Sequence, residues 1–202
     1  MARSTISASP PRPERANGSM IREGSSRHAG LKSWRDLKEL TKFWVVLFFY
    51  HVLRVRPPVL TNYTRKYMED VILPTISLPG TRVLSVGCRA YTYHYRYWFL
   101  RSGTEYWTCD IDPSSSIWGE GEKHIVADVR FIDKTCPEDC FDIVLMNGVF
   151  GFGVDDWHTM DEAITAISRV IKPGGHLLIG WNRNRVRDPQ QLSGIQSCGL
   201  SL

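Results

Sequence analysis

The stretch "VLSVGCRAYTYHY", from Val83 to Tyr95, decides the fold of this chain. It begins as a continuous apolar run that ends in Gly87, as the first strand of a doubly wound parallel sheet does. In dinucleotide-binding proteins such a strand opens into a loop with two or three glycines. Here Gly87 is followed by Cys88, Arg89 and a series of tyrosines. The stretch therefore predicts a strand and a ligand-facing turn whose loop has an unusual composition.

Further apolar runs predict the rest of the sheet. The runs are "RVLSVG" (82–87), "YWTCDI" (106–111), "HIVADV" (124–129), "FDIVLMN" (141–147) and "HLLIGW" (176–181). Most of them are continuous rather than alternating, as expected for strands that are buried on both faces. Strands that alternate with helical connections predict an α/β fold with a doubly wound, mostly parallel sheet.

A helix is predicted between the fourth and fifth strands. Apolar residues recur there at helical spacing from Met160 to Ile171. Thr159 and Glu162 have the spacing of a capping box at its start. The sequence "KPGG", residues 172–175, predicts its end.

Composition excludes several classes of protein. The chain has 202 residues, a net charge of +4 and five cysteines. This weak charge, with no basic stripe interleaved with aromatic residues, argues against a nucleic-acid partner. Five irregularly spaced cysteines do not form a disulfide framework, which favours a cytoplasmic location. Cys136 and Cys140 have no second half-site, so we expect no metal site.

The composition also divides the chain into four parts. Residues 1–30 are rich in Ser, Arg, Pro and Gly and are predicted to be disordered. An organelle transit peptide and a true start at Met20 are the alternatives for this segment. Residues 31–78 predict a helical extension. Residues 79–182 hold the predicted sheet, and residues 183–202 predict an irregular tail.

The helical extension contains the apolar run "FWVVLFFYHVL", residues 43–53. A membrane-spanning helix needs about twenty such residues, and Lys42 and Arg54 bracket this shorter run. We interpret it as a helix that covers the domain. The alternative is a helix that lies on a membrane surface as a peripheral contact.

Polar residues and glycines follow the predicted strands at the edge where ligands bind. Asp110 ends the second strand, where a carboxylate can accept hydrogen bonds from both hydroxyls of a ribose. Asp128 ends the third strand and suits an adenine amino group. Asn147 and Gly148 end the fourth strand, opposite the reacting end of a ligand. Gly87 allows close approach to the backbone. Each Asp could instead only cap a turn.

These motifs together resemble a class I S-adenosylmethionine-dependent methyltransferase over about residues 79–182. "VLSVGC" resembles its first motif, "TCDIDP" its ribose-binding strand end, "IVADV" its adenine-side strand, "FDIVLMNGVFG" its fourth motif and "ISRVIKPGGHLLIGW" its last helix and fifth strand. The Tyr-rich first loop is similar to that of a group of small, little-characterised methyltransferases. The resemblance implies S-adenosyl-L-methionine as the cofactor. It implies a binding site made of Gly87, Cys88, Arg89, Asp110, Ile111, Asp128, Val129, Asn147 and Gly148.

The resemblance implies methyl transfer to an acceptor that we expect to be a small molecule. An acceptor hydroxyl or amine would need a general base. The loop "GFGVDDWH", residues 151–158, lies beside the expected acceptor site and offers Asp155, Asp156 and His158. The alternative interpretation is that these three are polar loop residues before a helix.

The end of the chain departs from the family pattern. Class I methyltransferases carry two further strands, and the residues after Asn182 show no convincing strand. We therefore expect a truncated form that lacks the last strands. A degenerate, non-catalytic domain with a binding or structural role is the alternative function. A nicotinamide-dependent oxidoreductase would share Asp110 but should show the glycine-rich fingerprint, which is missing.

Overall fold

The computed structural model describes residues 63–197, together with Lys38, Thr41, Trp44, Val45 and Phe48. The predictions for residues 1–30, and nearly all of those for residues 31–62, lie outside the described residues, including the helix over 43–53. Among the residues that are described, no helix is both long enough and apolar enough to cross a membrane.

One sheet of five parallel strands forms the centre of the fold. The strands are β1 (Arg82–Val86), β2 (Glu105–Asp110), β3 (His124–Val126), β4 (Phe141–Asn147) and β5 (Ile171–Gly180). Their order in space is β3-β2-β1-β4-β5, with every neighbouring pair parallel. This order confirms the predicted doubly wound α/β fold. The winding reverses between β1 and β4, and such a switch point is where open parallel sheets bind ligands.

Helices cover both faces of the sheet. They are α1 (Tyr63–Tyr67), α2 (Leu73–Ile76), α3 (Arg96–Ser102), α4 (Trp157–Val170) and α5 (Ser193–Ser197). A π-helical turn, Met68–Ile72, joins α1 to α2, so residues 63–76 form one helical segment. Short 3-10 segments lie at Tyr93–Tyr95, Pro113–Trp118, Gly121–Lys123, Val129–Lys134 and Pro189–Gln191.

Strand β1 shows how the two faces are buried. Val83 lies in a cluster with Phe99 of α3 on one face. Leu84 and Val86 lie on the other face, in the larger cluster that includes Ile164 of α4. Successive side chains of a strand point to opposite faces, so a continuous apolar run supplies both clusters at once.

The start of α4 differs from the prediction. Asp156 is the N-cap, and its side chain accepts a hydrogen bond from the Thr159 N–H. The predicted capping box of Thr159 and Glu162 is therefore wrong. The helix begins at Trp157, because Asp156 precedes Thr159 by the three residues that a capping carboxylate spans.

Helix α4 ends at Val170, just before "KPGG", as predicted. Residues 172–175 themselves belong to β5 rather than to a turn. The pairing of β5 with β4 is irregular here: Ile171 lies opposite Phe141, and the next pair is His176 with Ile143. The extra residues on β5 form a bulge. The two glycines of "KPGG" therefore lie in this bulge of β5.

The segment after β5 is ordered, contrary to the predicted irregular tail. It contains Pro189–Gln191 and α5. Val186, Leu192 and Ile195 are buried in the same cluster as α4. Within residues 63–197 no strand follows β5, which forms one edge of the sheet.

Candidate active site

The register of the sheet brings the ends of its strands together. The last residue of β1, Val86, pairs with β2 and β4 at the residues just before Asp110 and Asn147. Asp110 in turn pairs with the last residue of β3. The polar groups at these strand ends therefore share the carboxyl edge of the sheet.

A pocket opens at this edge and encloses about 810 Å³, part of it open to solvent. The predicted site residues that line it are Gly87, Arg89, Asp110, Ile111, Asp128, Val129, Asn147 and Gly148. The structure thus brings together every predicted cofactor-binding residue except Cys88.

Cys88 lies behind the pocket wall and supports the site from there. Its side chain is buried, and its N–H donates a 2.7 Å hydrogen bond to Oδ2 of Asp110. Burial, followed by the nearby Asp110 charge, raises the pKa of the Cys88 thiol to about 12. The thiol is therefore protonated at neutral pH. Cys88 contributes to the site through its backbone N–H, which orients Asp110.

Asp110 is the most buried charged group of the pocket, with 3% of its surface exposed. Besides the Cys88 N–H, its carboxylate accepts hydrogen bonds from the Asp112 N–H and from Nη1 of Arg89 at 3.0 Å. The two backbone donors fix the orientation of the carboxylate, and the Arg89 side chain neutralises it. A carboxylate oxygen can accept a second hydrogen bond, so Asp110 keeps capacity for a ligand hydroxyl.

Gly87 forms the turn between β1 and the first loop. Its φ of +90° is one that residues with a side chain rarely adopt. Its N–H donates to the Cys109 carbonyl, which extends the pairing of β1 with β2 by one residue. The chain can therefore turn immediately beside the pocket and leave its backbone exposed to a ligand.

Asp128 is paired within the pocket with Arg130. The Arg130 Nε donates hydrogen bonds of 3.1 and 2.9 Å to the two carboxylate oxygens, and the Arg130 N–H donates a third. These hydrogen bonds hold the pKa of Asp128 below its usual value, against the smaller effect of burial. Asp128 is therefore an anionic acceptor throughout the neutral range.

Asn147 closes the pocket at the switch point, with Gly148 directly after it. It pairs with Gly180 of β5, and a Cβ atom at position 180 would overlap the Asn147 amide oxygen. The glycine on the neighbouring strand thus makes the room that the Asn147 side chain occupies.

Residues 84–179 match the model of a protein family described as a methyltransferase domain. The matched residues are therefore similar to a methyltransferase domain. The match spans all five strands of the sheet almost completely, and with them the strand ends that build the pocket. No curated protein matches the chain.

Solved structures of methyltransferases are similar to the chain. The 1,6-didemethyltoxoflavin-N1-methyltransferase of Burkholderia thailandensis is 20% identical, with 75% of this chain and 65% of that chain covered and a TM-score of 0.43. A SAM-dependent methyltransferase from Aquifex aeolicus is 16% identical, with 70% and 85% covered and a TM-score of 0.45. The chain spans less than two thirds of the length of several of the structures that it matches. The similarity to methyltransferases rests on the match over residues 84–179.

The pocket also contains residues outside the set predicted to bind the cofactor. They are Val86, Tyr91, Ala127, Arg130, Val149, Phe152, Gly153 and Val154. Tyr91 belongs to the Tyr-rich loop that the sequence singled out. Phe152 sits at the tip of a small loop, between the paired residues Phe150 and Val154, and is 55% exposed. A large exposed aromatic residue flanked by glycines was the sequence feature that could have identified it.

The three candidate bases do not line the pocket. Asp156 caps α4, and Asp155 accepts a hydrogen bond from the Gly153 N–H within its own loop. His158 lies in the first turn of α4 and is 81% exposed, 3.8 Å from Glu162. The interpretation as polar residues at the start of a helix therefore fits the structure better than a role as base.

Proposed function

We propose that the chain binds S-adenosyl-L-methionine in this pocket and transfers its methyl group to a small-molecule acceptor. One observation supports the proposal above all. Asp110, Asp128 and Asn147 lie at or just beyond the ends of β2, β3 and β4 and line a single pocket. A ribose, an adenine and a reacting group can each meet one of these side chains.

The adenosine half fits the side of the pocket formed by β2 and β3. The buried Asp110 carboxylate accepts hydrogen bonds from the ribose hydroxyls. Asp128 accepts from the adenine amino group. Ile111 is 64% exposed although it is large and apolar, and Val129 lies beside Asp128. Covering Ile111 with an adenine ring removes apolar surface from water and favours binding.

The methionine half fits the turn after β1. Gly87 exposes backbone there, and the guanidinium of Arg89 can form a bidentate pair with the methionine carboxylate. Dinucleotides need several glycines because a pyrophosphate must contact backbone N–H groups. S-adenosylmethionine has no phosphate, so a loop with a single glycine and an arginine is chemically suited to it.

The bound cofactor supplies an electrophilic methyl group on a sulfonium. The chain's own contribution is to orient the two reactants and to keep water out. Asn147 lies at the switch point, where the reacting end is expected. Tyr91 and Phe152 provide aromatic surface on the same side of the pocket.

Thermal unfolding with and without S-adenosylhomocysteine tests the proposal, in the parent protein and in an Asp110→Asn variant. A ligand at a hundred times its Kd adds about 2.7 kcal/mol to the free energy of unfolding. We expect that stabilisation in the parent and a reduced one in Asp110→Asn, because the ribose hydroxyls lose a charged acceptor. Asp133→Asn is the matched control, since Asp133 pairs with Arg169 outside the pocket.

Two outcomes contradict the proposal. A folded parent protein that gains no stability from the ligand does not bind the cofactor. Equal stabilisation of the parent and the Asp110→Asn variant would place the ligand in another site.

A further inference from the structure

Two arginines stack on aromatic rings that line the pocket. The guanidinium carbon of Arg65, on α1, lies 3.6 Å from the centre of the Tyr91 ring. That of Arg185, after β5, lies 4.1 Å from the centre of the Phe152 ring. These cation–π contacts place two positive charges next to aromatic residues of the pocket wall. The two arginines come from separate segments of the chain.

Neither arginine has an acidic partner among residues 63–197: no carboxylate there lies within ion-pair distance of either one. Within the described part of the chain, the Arg185 guanidinium donates only to the Gly151 carbonyl, through Nη1. Stacking uses the flat face of a guanidinium and leaves N–H groups on its edge. Both side chains therefore keep donors in the geometry that binds a carboxylate or a phosphate.

The two arginines stack on rings that follow the two strands at the switch point. Tyr91 follows β1 and Phe152 follows β4, whereas Asp110 and Asp128 follow β2 and β3. Neither arginine lines the pocket itself, but each stacks on a ring that does. Arg185 with Phe152 lies across β1 from the strand ends that carry Asp110 and Asp128, and Arg65 with Tyr91 lies beside the turn after β1.

We propose that the methyl acceptor is a small molecule with an anionic group, a carboxylate or a phosphate, that is held by Arg65 and Arg185. This inference rests on the proposed function, because it names the second substrate of that reaction. The charge balance supports it. A sulfonium beside two unpaired guanidinium groups is a concentration of positive charge, and an anion between them relieves the repulsion. Tyr91, Val149 and Phe152 offer apolar surface to the rest of the acceptor.

Calorimetric titration of the protein loaded with S-adenosylhomocysteine tests this site with three probes: benzoate, phenyl phosphate and benzamide. The probes share a ring and differ in charge. We expect benzoate or phenyl phosphate to bind about tenfold or more tightly than benzamide, since each hydrogen-bonded charge pair contributes at that level. The preferred anion then identifies the group that the acceptor carries.

A double variant, Arg65→Gln with Arg185→Gln, should lose that preference and keep its affinity for S-adenosylhomocysteine. Arg101→Gln with Arg169→Gln removes the same charge from α3 and α4, outside the pocket, and should keep the preference. The pair Arg65→Lys with Arg185→Lys retains the charge without the planar fork and should bind the anion with intermediate affinity. This variant also replaces the glutamine variant if that protein does not fold.

The inference is overturned if the anions bind no more tightly than benzamide, or if the variant lacking Arg65 and Arg185 binds them as the parent does. The proposed function fails separately, if S-adenosylhomocysteine itself does not bind. In that case the same titrations on the unloaded protein still decide whether the two arginines form an anion site.

Discussion

At the scale of single residues, Arg89 pairs with Asp110 and is also exposed enough to contact a ligand. Its Nη1 donates to Asp110 across 3.0 Å, while 49% of its side chain remains exposed. The other donors to Asp110 are backbone N–H groups and cannot leave. Arg89 can turn outward toward a carboxylate, and this movement would free the Asp110 carboxylate for a ribose. Binding of the proposed cofactor would then be coupled to rearrangement of this ion pair, which Nη1 of Arg89 combines with hydrogen bonds to the Cys88 carbonyl and the Ser115 hydroxyl.

The first prediction separates the contact of Arg89 with the methionine carboxylate from its ion pair with Asp110. In an Arg89→Ala variant, affinity for S-adenosylhomocysteine should fall about tenfold, because the methionine carboxylate loses its charged partner. Affinity for adenosine, which has no methionine, should stay the same or rise, because Asp110 no longer binds an arginine. Titration calorimetry measures both, with Arg101→Ala as control. An equal loss for both ligands would mean that Arg89 acts only by shaping the loop.

The second prediction concerns the contribution of Asp128 to the stability of the fold at low pH. Hydrogen bonds from Arg130 lower its pKa in the folded protein. A lowered pKa stabilises the fold above the pKa of the unfolded chain, about 3.9, and this contribution disappears as the pH falls through the folded value. Asp128→Asn should thus be less stable than the parent near neutral pH, and the two should converge below about pH 4.

Melting temperatures of the unliganded proteins between about pH 2 and pH 7 test this convergence. Asp139→Asn is the matched control: Asp139 is exposed, and its positive φ of 51° is one that asparagine adopts readily. A difference between Asp128→Asn and the parent that is constant with pH would contradict the ionic origin of the effect.

At the scale of secondary-structure elements, the sequence predicted the central strands β1, β2 and β4 better than β3 and β5, whose predicted bounds miss by three and five residues. Continuous apolar runs predict strands that are buried on both faces, and β4 was placed at its observed bounds, Phe141–Asn147. The start of α4 was harder to place, since two overlapping caps, Asp156 and Thr159, both fit the local rules. The structure favours Asp156, whose carboxylate binds both the N–H and the hydroxyl of Thr159.

The third prediction tests that cap against the alternative of a catalytic base. Asp156→Ala should lower the free energy of unfolding by about 1 kcal/mol, because the first turn of α4 loses its acceptor. Asp156→Asn keeps the acceptor and should restore most of that loss. His158→Ala, at an exposed position in the same turn, should change stability by less than about 0.5 kcal/mol.

Thermal unfolding measures these differences, and affinity for S-adenosylhomocysteine should be unchanged in all three variants. If Asp156→Ala is as stable as the parent, the side chain does not cap the helix, and a role in catalysis regains support.

At the scale of the whole molecule, the predicted site residues lie together where the sheet alone determines their position. Gly87, Asp110 and Asn147 follow from the ends of apolar runs, because parallel strands align their carboxyl ends at one edge. The sequence pointed to the loops that carry Tyr91 and Phe152 but not to these side chains, since the direction of a loop depends on contacts with distant segments. Those contacts, from α1 and from the chain after β5, also supply the arginines of the proposed acceptor site.

The segment after β5 is joined to the domain by apolar and polar contacts. Leu192 is fully buried and Ile195 nearly so, in the cluster that contains α4. Asp161 of α4 accepts hydrogen bonds from the Ser193 hydroxyl and from the Gly194 N–H at the start of α5. The position of Arg185 over Phe152 therefore depends on a segment that is anchored on both sides.

The fourth prediction tests this anchoring through Leu192. Leu192→Ala should lower the free energy of unfolding by about 2–5 kcal/mol, the usual cost of a cavity at a fully buried leucine. In urea the midpoint should fall while the slope stays the same, because the folded and unfolded states keep their exposed surface. Gln191→Ala, at the exposed neighbouring position, should leave the midpoint unchanged within error. If Leu192→Ala also leaves it unchanged, residues 183–197 do not pack on α4. Arg185 would then have no fixed place beside Phe152.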